Sequence, residues 1–434
     1  MAISYAATRV PAWPVAAVGT AAVVVPGAGV GSGYAAALAR QGWQPVAVDL
    51  EPQLRPRALA RANSPGPYVH RVEHRGSLRQ TVKALRALGV SAVVAGSTLG
   101  IGLAERLMWH LDLPGADPVT ALLRHDQGAQ AAALRRAGIP ALRGVRTTSL
   151  AAALTWAETC PLPGYMLAPA TAGSPVEPVV CANALQISAT WSRMRRQAAE
   201  YSGDAHLVLA EHVPGRRYVV NSVTRLVDGQ PDHVVTDVWA QTYTPSGRLA
   251  RTDLLDRHHL LTRALSMHVL RVLDALGIVC GPVTSQVAHS AERGPLLISA
   301  LAVPGISPAD AALSAATGRD RLADALSAVI TPSPAERVAV PTGHRVVRVH
   351  LDPRHGARIA PWAHGALRRL PTVVAVTDHP RPDAPPTSPA AGLEVVLSGA
   401  EPEAIEADYR AVRALERASL YPAAVGHRPS EMRS

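Results

Sequence analysis

From Gly281 to Gly305 the sequence reads GPVTSQVAHSAERGPLLISALAVPG. Val283, Ser285 and Val287, then Leu297, Ser299 and Leu301, occupy alternate positions on either side of Ala291-Glu292-Arg293-Gly294. A period of two sends every second side chain to the same face of a strand, and a tetrapeptide ending in glycine supplies the reversal. The stretch is expected to be an antiparallel hairpin with one face buried.

The chain has 434 residues, 48% of them hydrophobic and 18% charged, which is a globular balance with room for two or three domains. Phe is absent, and Lys83 is the only lysine, so the net charge of +10 is carried by arginine. Those arginines stand singly or in pairs, such as Arg195-Arg196 and Arg216-Arg217, with no basic run of five or more. A solvated basic surface accounts for this pattern, and no nucleic-acid partner is expected. Cys160, Cys181 and Cys280 are odd in number, far apart and outside any CxxC pair, which argues against a disulfide framework or a zinc site. Val10 to Ala39 carries no charge, but Pro11, Pro14, Pro26 and several glycines interrupt it. That suits strand, glycine turn and helix better than a membrane span, so a cytoplasmic protein with no membrane partner and no targeting segment is expected.

The chain opens with an apolar run at Ala21 to Pro26, a turn from Gly27 to Gly33, a helix from Tyr34 to Gln41 and a strand from Pro45 to Asp49. This is the start of a doubly wound sheet. Asp49 stands where a dinucleotide-binding protein holds a ribose hydroxyl, yet the spacing departs from GxGxxG: counted from Gly27 the third glycine falls on Ser32, and from Gly29 on Tyr34. A helix at Ser77 to Leu88, a strand at Ser91 to Ala95 and a helix at Ile101 to Leu111 continue the alternation up to the turn-rich Pro114 to Pro118. Beyond it the patterns predict a helix closed at Gly138, a strand at Arg143 to Thr147, a helix capped by Ser149, a helix from Asn183 and a strand at His206 to Ala210. A hairpin is expected across Asp228-Gly229, then a helix from Leu254 to Leu276 and another beginning at Ala316 to Asp320. Strands follow at Arg345 to Leu351, Thr372 to Thr377 and Leu393 to Leu397, then a helix from Pro402 to Ser419. Pro332 to Pro341 reads as a linker, His379 to Gly392 as a mobile loop and the end of the chain as a disordered tail.

Four segments, in order, resemble the ATP-grasp superfamily, and within it the carboxylate-amine ligases. Arg124-His125-Asp126-Gln127 with Ala137-Gly138-Ile139 resembles the family's RDK helix; Gly164 to Ala182 resembles its strand, glycine-rich loop and strand. Glu211-His212-Val213-Pro214-Gly215-Arg216-Arg217-Tyr218 resembles the hinge and ribose motif, and Gly281 to Leu301 the metal-binding hairpin. The resemblance implies ATP and Mg2+ as cofactors. It places Glu211, His212 and Val213 at the adenine, Arg217 at the ribose, Gln127 and Ala168 at the two phosphate-binding lysines, and Gln286 and Ser299 at the two metal carboxylates.

It also implies the architecture, α/β and α+β: a small α/β N-terminal domain over 1–118, an ATP-grasp domain of two α+β subdomains over 119–330, and a β-rich C-terminal lid over 331–434. Six polar positions of the family pattern are replaced, at Gln127, Ala168, Arg217, Gln286, Ser299 and Val303. Losing two charge-assisted bonds to phosphate costs roughly 3 to 6 kcal/mol, about a hundred-fold to ten-thousand-fold in affinity. The expectation is a degenerate centre with no catalytic and no metal residues, in a protein that acts as a binding or partner subunit. As partners it would take a small-molecule ligand, another copy of itself or an active relative. The competing expectation is a divergent ligase that forms an amide bond through an acyl phosphate. It would use Arg124, Arg143, Arg146, Arg216 or Arg217 in place of lysine.

Overall fold

The computed structural model describes residues 18–25, 31–57, 66–245, 247–305, 309–330, 344–351, 360–379 and 392–418. The turn at 26–30, the linker at 331–343, the loop at 380–391 and the tail from 419 lie outside the described residues.

The first unit is a parallel sheet of β1 (Gly19–Val24), β2 (Trp43–Leu50), β3 (His70–His74) and β4 (Val90–Ala95), in the order β3-β2-β1-β4. Helix α1 (Gly31–Arg40) connects β1 to β2, α2 (Leu78–Ala87) connects β3 to β4, and α3 (Ile101–His110) follows β4. Ala22, Val24, Val46 and Val48 pack on one side of the sheet and Ala21, Val23 and Ala47 on the other, so β1 and β2 read as apolar runs because both faces are covered. The edge strand β3 escapes the sequence pattern, since His70-Arg71-Val72-Glu73-His74 is mostly charged and exposed. Asp49, at the end of β2, accepts from Arg71 at 2.9 Å.

The expected helix up to Gly138 is two pieces: a 3-10 stretch at Pro118–Arg124 and α4 (Gln127–Arg136). The break lies at Asp126, whose carboxylate accepts from the Ala129 N–H and so starts a new helix. A small sheet follows, with β5 (Gly144–Thr147), β6 (Tyr165–Pro169), β7 (Val179–Cys181) and β8 (Leu207–Glu211) in the order β5-β8-β6-β7. Helices α5 (Leu150–Thr159) and α6 (Ala184–Ser202), capped by Ser149 and Asn183, cover its back.

A large antiparallel sheet takes the rest of the strands: β9 (Arg217–Val227), β10 (Gln230–Tyr243), β11 (Leu249–Leu254), β12 (Gly281–Ser290), β13 (Gly294–Leu301), β14 (Arg345–Leu351), β15 (Val373–His379) and β16 (Gly392–Gly399). Their order is β13-β12-β9-β10-β11-β14-β16-β15. The turn between β9 and β10 has Asp228 at φ 51° and Gly229 at φ 77°, the two left-handed residues that a tight hairpin requires. Helix α7 (Leu260–Ala275) begins six residues later than expected, because Leu254 closes β11, and Asp256 then turns the chain by accepting from His258 N–H. His259 caps that helix, its ring Nδ1 accepting from the Leu261 N–H. The helix placed at Ala316 to Asp320 is instead a junction: α8 (Asp310–Thr317) ends at Gly318, and Asp320 starts α9 (Arg321–Ile330) by accepting from the N–H groups of Leu322 and Ala323.

The C-terminal strands form no sheet of their own. β14 pairs with β11 through Arg251↔Val349 and Asp253↔Val347, so the segment extends the large sheet while keeping a core of Val349, Leu393, Val395 and Val412 beneath α10 (Ala363–Arg368) and α11 (Pro402–Ala418). Helix α9 joins the units, since its Leu326 and Ile330 lie in the core of the first sheet and its Ser327 accepts from Arg225 on β9.

Candidate functional site

Strand β12 runs between β9 and β13, with Gln286 directly opposite Ser299 on β13 and Val219 on β9. Opposed residues of an antiparallel pair share a face. That face looks across a cleft at the small sheet, where Met166, Ala168, Val208 and Ala210 project from alternate positions of β6 and β8. The cleft holds about 880 Å³ of empty space, part of it open to solvent. Its walls bring together Gln127, Ala168, Glu211, His212, Val213, Arg217, Gln286 and Ser299, the eight positions that the resemblance places at adenine, ribose, phosphate and metal, whereas Val303 is buried and outside the cleft wall.

At the hairpin end the lining is uncharged. Gln127 begins α4, and its carboxamide donates to the Pro169 carbonyl at 3.1 Å. Ala168 is buried, Ser299 is buried, and Gln286 is exposed to the cleft. The loop after β6 is tied down by backbone bonds from Gln127 N–H to Ala170 and from Ala172 N–H to His125. It turns at Gly173, at φ +69°, where a Cβ would stand 2.8 Å from Leu301 Cδ1 and 3.2 Å from Thr98 Oγ1. Leu301 thus rests against the glycine loop from the strand that carries Ser299.

At the hinge end the charge is concentrated. Glu211 is only 5% exposed, and its carboxylate accepts from Arg143 three times, through the backbone N–H at 2.9 Å and the guanidinium at 3.1 and 3.0 Å. Arg293, in the turn between β12 and β13, approaches the same carboxylate at 2.8 Å. Burial pushes the Glu211 carboxyl upward, but the Arg143 N–H and the two guanidinium groups outweigh it and hold it below the ordinary carboxylate range. His212 donates its N–H to the Gly164 carbonyl, while its buried ring Nδ1 has no partner among the described residues. Burial and, after it, the Arg217 charge lower the His212 pKa, which keeps the ring neutral at pH 7.

Of the five arginines considered as substitutes for lysine, three are committed elsewhere. Arg124 is 1% exposed and makes a two-pronged ion pair with Glu105 at 2.7 and 2.9 Å. Arg143 holds Glu211, and Arg146 holds Asp126 at 2.7 Å and Asp204 at 3.2 Å. Arg216 is exposed and absent from the cleft wall; Arg217 alone lies in it. Among the described residues no group of three or more His, Cys, Asp or Glu is placed to hold a metal ion. The side chains at the two hairpin positions, the amide of Gln286 and the hydroxyl of Ser299, do not fit Mg2+, which favours anionic oxygen in an octahedral set.

The Arg143–Glu211–Arg293 clamp had no sequence signal, because the three residues lie on separate elements. The apolar wall did have one, in the period-two spacing of Met166 with Ala168 and of Val208 with Ala210.

No protein-family model and no curated protein matches the chain. Its architecture is shared with solved structures. An L-amino acid ligase from Bacillus licheniformis superposes with a TM-score of 0.69 at 13% identity, over 92% of this chain and 98% of that one. The carboxyaminoimidazole ribonucleotide synthase of Aspergillus clavatus, complexed with ATP, gives 0.67 at 13% identity over 92% and 98%. The biotin carboxylase domain dimer of Hydrogenobacter thermophilus 2-oxoglutarate carboxylase, with MgADP, ADP and bicarbonate, gives 0.59 at 12% identity over 88% and 86%. The fold that this chain shares with these structures is the ATP-grasp fold.

Proposed function

We propose that this ATP-grasp chain is a non-catalytic relative of the ATP-dependent carboxylate-amine ligases, and that it uses the cleft to bind a small molecule without activating a carboxylate. The observation that carries this is the pairing of Gln286 with Ser299 at the centre of the hairpin face. Acyl phosphate formation spreads negative charge over the transferring phosphoryl group, and catalysis consists largely of placing metal and cations against that charge. Here the positions that would do so hold Gln127, Ala168, Gln286 and Ser299, none of them charged. The fold is kept around them: the glycine loop, the hinge glutamate and both hairpins are intact.

The divergent-ligase reading has one observation in its favour, the presence of Arg217 in the cleft. One guanidinium falls short of two lysines and two metal carboxylates, and Arg124, Arg143 and Arg146 are held by internal carboxylates. A partner role is supported by the dimeric state named for the H. thermophilus biotin carboxylase domain. The decisive assay is ADP release by the purified chain over a panel of amino-acid and carboxylate pairs. We expect no turnover above background. Turnover that disappears in Arg216→Ala or Arg217→Ala would establish the divergent ligase instead.

A further inference from the structure

The cleft has a charge polarity opposite to that needed by a nucleotide. A nucleoside triphosphate presents a neutral base at the hinge and a polyanion at the hairpin. In this chain the hairpin end carries Gln127, Gln286 and Ser299, and the positive charge sits at the hinge.

That charge can be assigned to one side chain. Among the described residues Glu211 is the only carboxylate in the cleft wall, and it is matched by Arg143 and Arg293. His212 is neutral, with its pKa lowered by burial and by Arg217. Arg217 opens β9, with Gln241 opposite it on β10 and Ala288 opposite it on β12, so neither neighbouring strand brings it a carboxylate. Its guanidinium lies 5.0 Å from the centre of the Tyr243 ring, which orients it. The Tyr243 hydroxyl donates to Gln241 at 3.0 Å. Arg217 is half-buried and, among the described residues, forms no ion pair. A cation withdrawn from water without a counter-charge is costly, and an anion delivered by a ligand would remove that cost. Met166, Val176, Val208, Ala210 and Ile298 line the cleft beyond it and favour an apolar body.

Resting on the reading of the cleft as one without metal- and phosphate-binding groups, we propose that it binds a monoanion with an apolar body. A carboxylate or similar planar anion would be held by Arg217, and the body would lie along the apolar wall towards Gln286 and Ser299. A planar guanidinium takes a planar carboxylate through two parallel N–H bonds.

The test is calorimetric titration of the full chain with 2-naphthoate and with its uncharged amide, 2-naphthamide, in metal-free buffer. We expect naphthoate to bind at one site and naphthamide to bind at least ten-fold more weakly. Arg217→Gln should weaken naphthoate roughly ten- to hundred-fold, the value of a charge-assisted pair, and close the gap between acid and amide. Arg216→Gln, exposed and outside the cleft wall, should leave both affinities unchanged. Equal affinity of acid and amide for the unaltered chain overturns the proposal without reference to any variant. So does an Arg217→Gln chain with an unchanged melting curve and an unchanged acid preference, or an equal loss from Arg216→Gln, which would mark a surface effect. Tight Mg2+-dependent ATP binding would instead remove the reading of the cleft on which the proposal rests, and it is measured separately.

Discussion

Removing the Arg124 guanidinium would leave the Glu105 carboxylate 4% exposed with no counter-charge. Burial already pushes the Glu105 pKa upward against the pull of Arg124, so the pair persists because of its two-pronged geometry and the further bonds from Arg124 to the Asp117 and Leu276 carbonyls. Arg124→Leu is expected to destabilise the fold by about 3 to 5 kcal/mol, measured by chemical denaturation. A loss below about 1 kcal/mol would show that the pair is not structural. Glu211 gives a pH dependence. Its folded-state pKa lies below the ordinary value near 4.3, so its stabilisation is complete above that value and is lost as pH falls through the lower folded pKa. Between about pH 5 and pH 3 the unaltered chain should lose more stability than Glu211→Gln, which is itself less stable at pH 7 by about 1 to 3 kcal/mol. Parallel melting temperatures across that range would contradict the clamp. Residue identity made Glu211 and Arg217 legible in the sequence. It could not reveal that Arg143 and Arg293 meet at Glu211, because that contact depends on how two sheets close over one another.

The elements whose apolar spacing is regular were readable to within a few residues. The hairpin β12–β13 and the strand Arg345–Leu351 fall where period-two alternation puts them, and Ser77, Ser149 and Asn183 cap the helices they precede. Strand β11 was missed because Arg251, Thr252 and Asp253 interrupt its apolar positions, and its pairing with β10 and β14 is a tertiary choice. Among the connections, the glycine loop is the most constrained. Gly173→Ala adds a Cβ 2.8 Å from Leu301 at a left-handed φ, so strain and a clash coincide. It should lower the melting temperature, whereas Gly229→Ala, at φ +77° in the open β9–β10 turn with nothing within 4 Å, should cost only the backbone strain, about 1 kcal/mol. If Gly173→Ala proves the milder of the two, the loop does not pack on Leu301 as described.

Among the described residues, contacts between the sheets include α9, packed between the first and the large sheet, and the Glu211 clamp between the small and the large sheet, while β11–β14 pairing carries the large sheet into the C-terminal segment. The proposed non-catalytic role assigns the ATP-grasp architecture to binding or association. If association is part of it, light scattering on the purified chain, alone and mixed with a motif-complete ATP-grasp ligase, should show a dimer or a mixed complex. A monomer that leaves the ligase's mass and rate unchanged would end the partner role. The proposed loss of the metal- and phosphate-binding groups is tested by titration calorimetry with ATP in the presence and absence of Mg2+. Heats should be weak or absent and the same in both buffers. Micromolar affinity that requires Mg2+ would show instead that the cleft still holds metal and triphosphate.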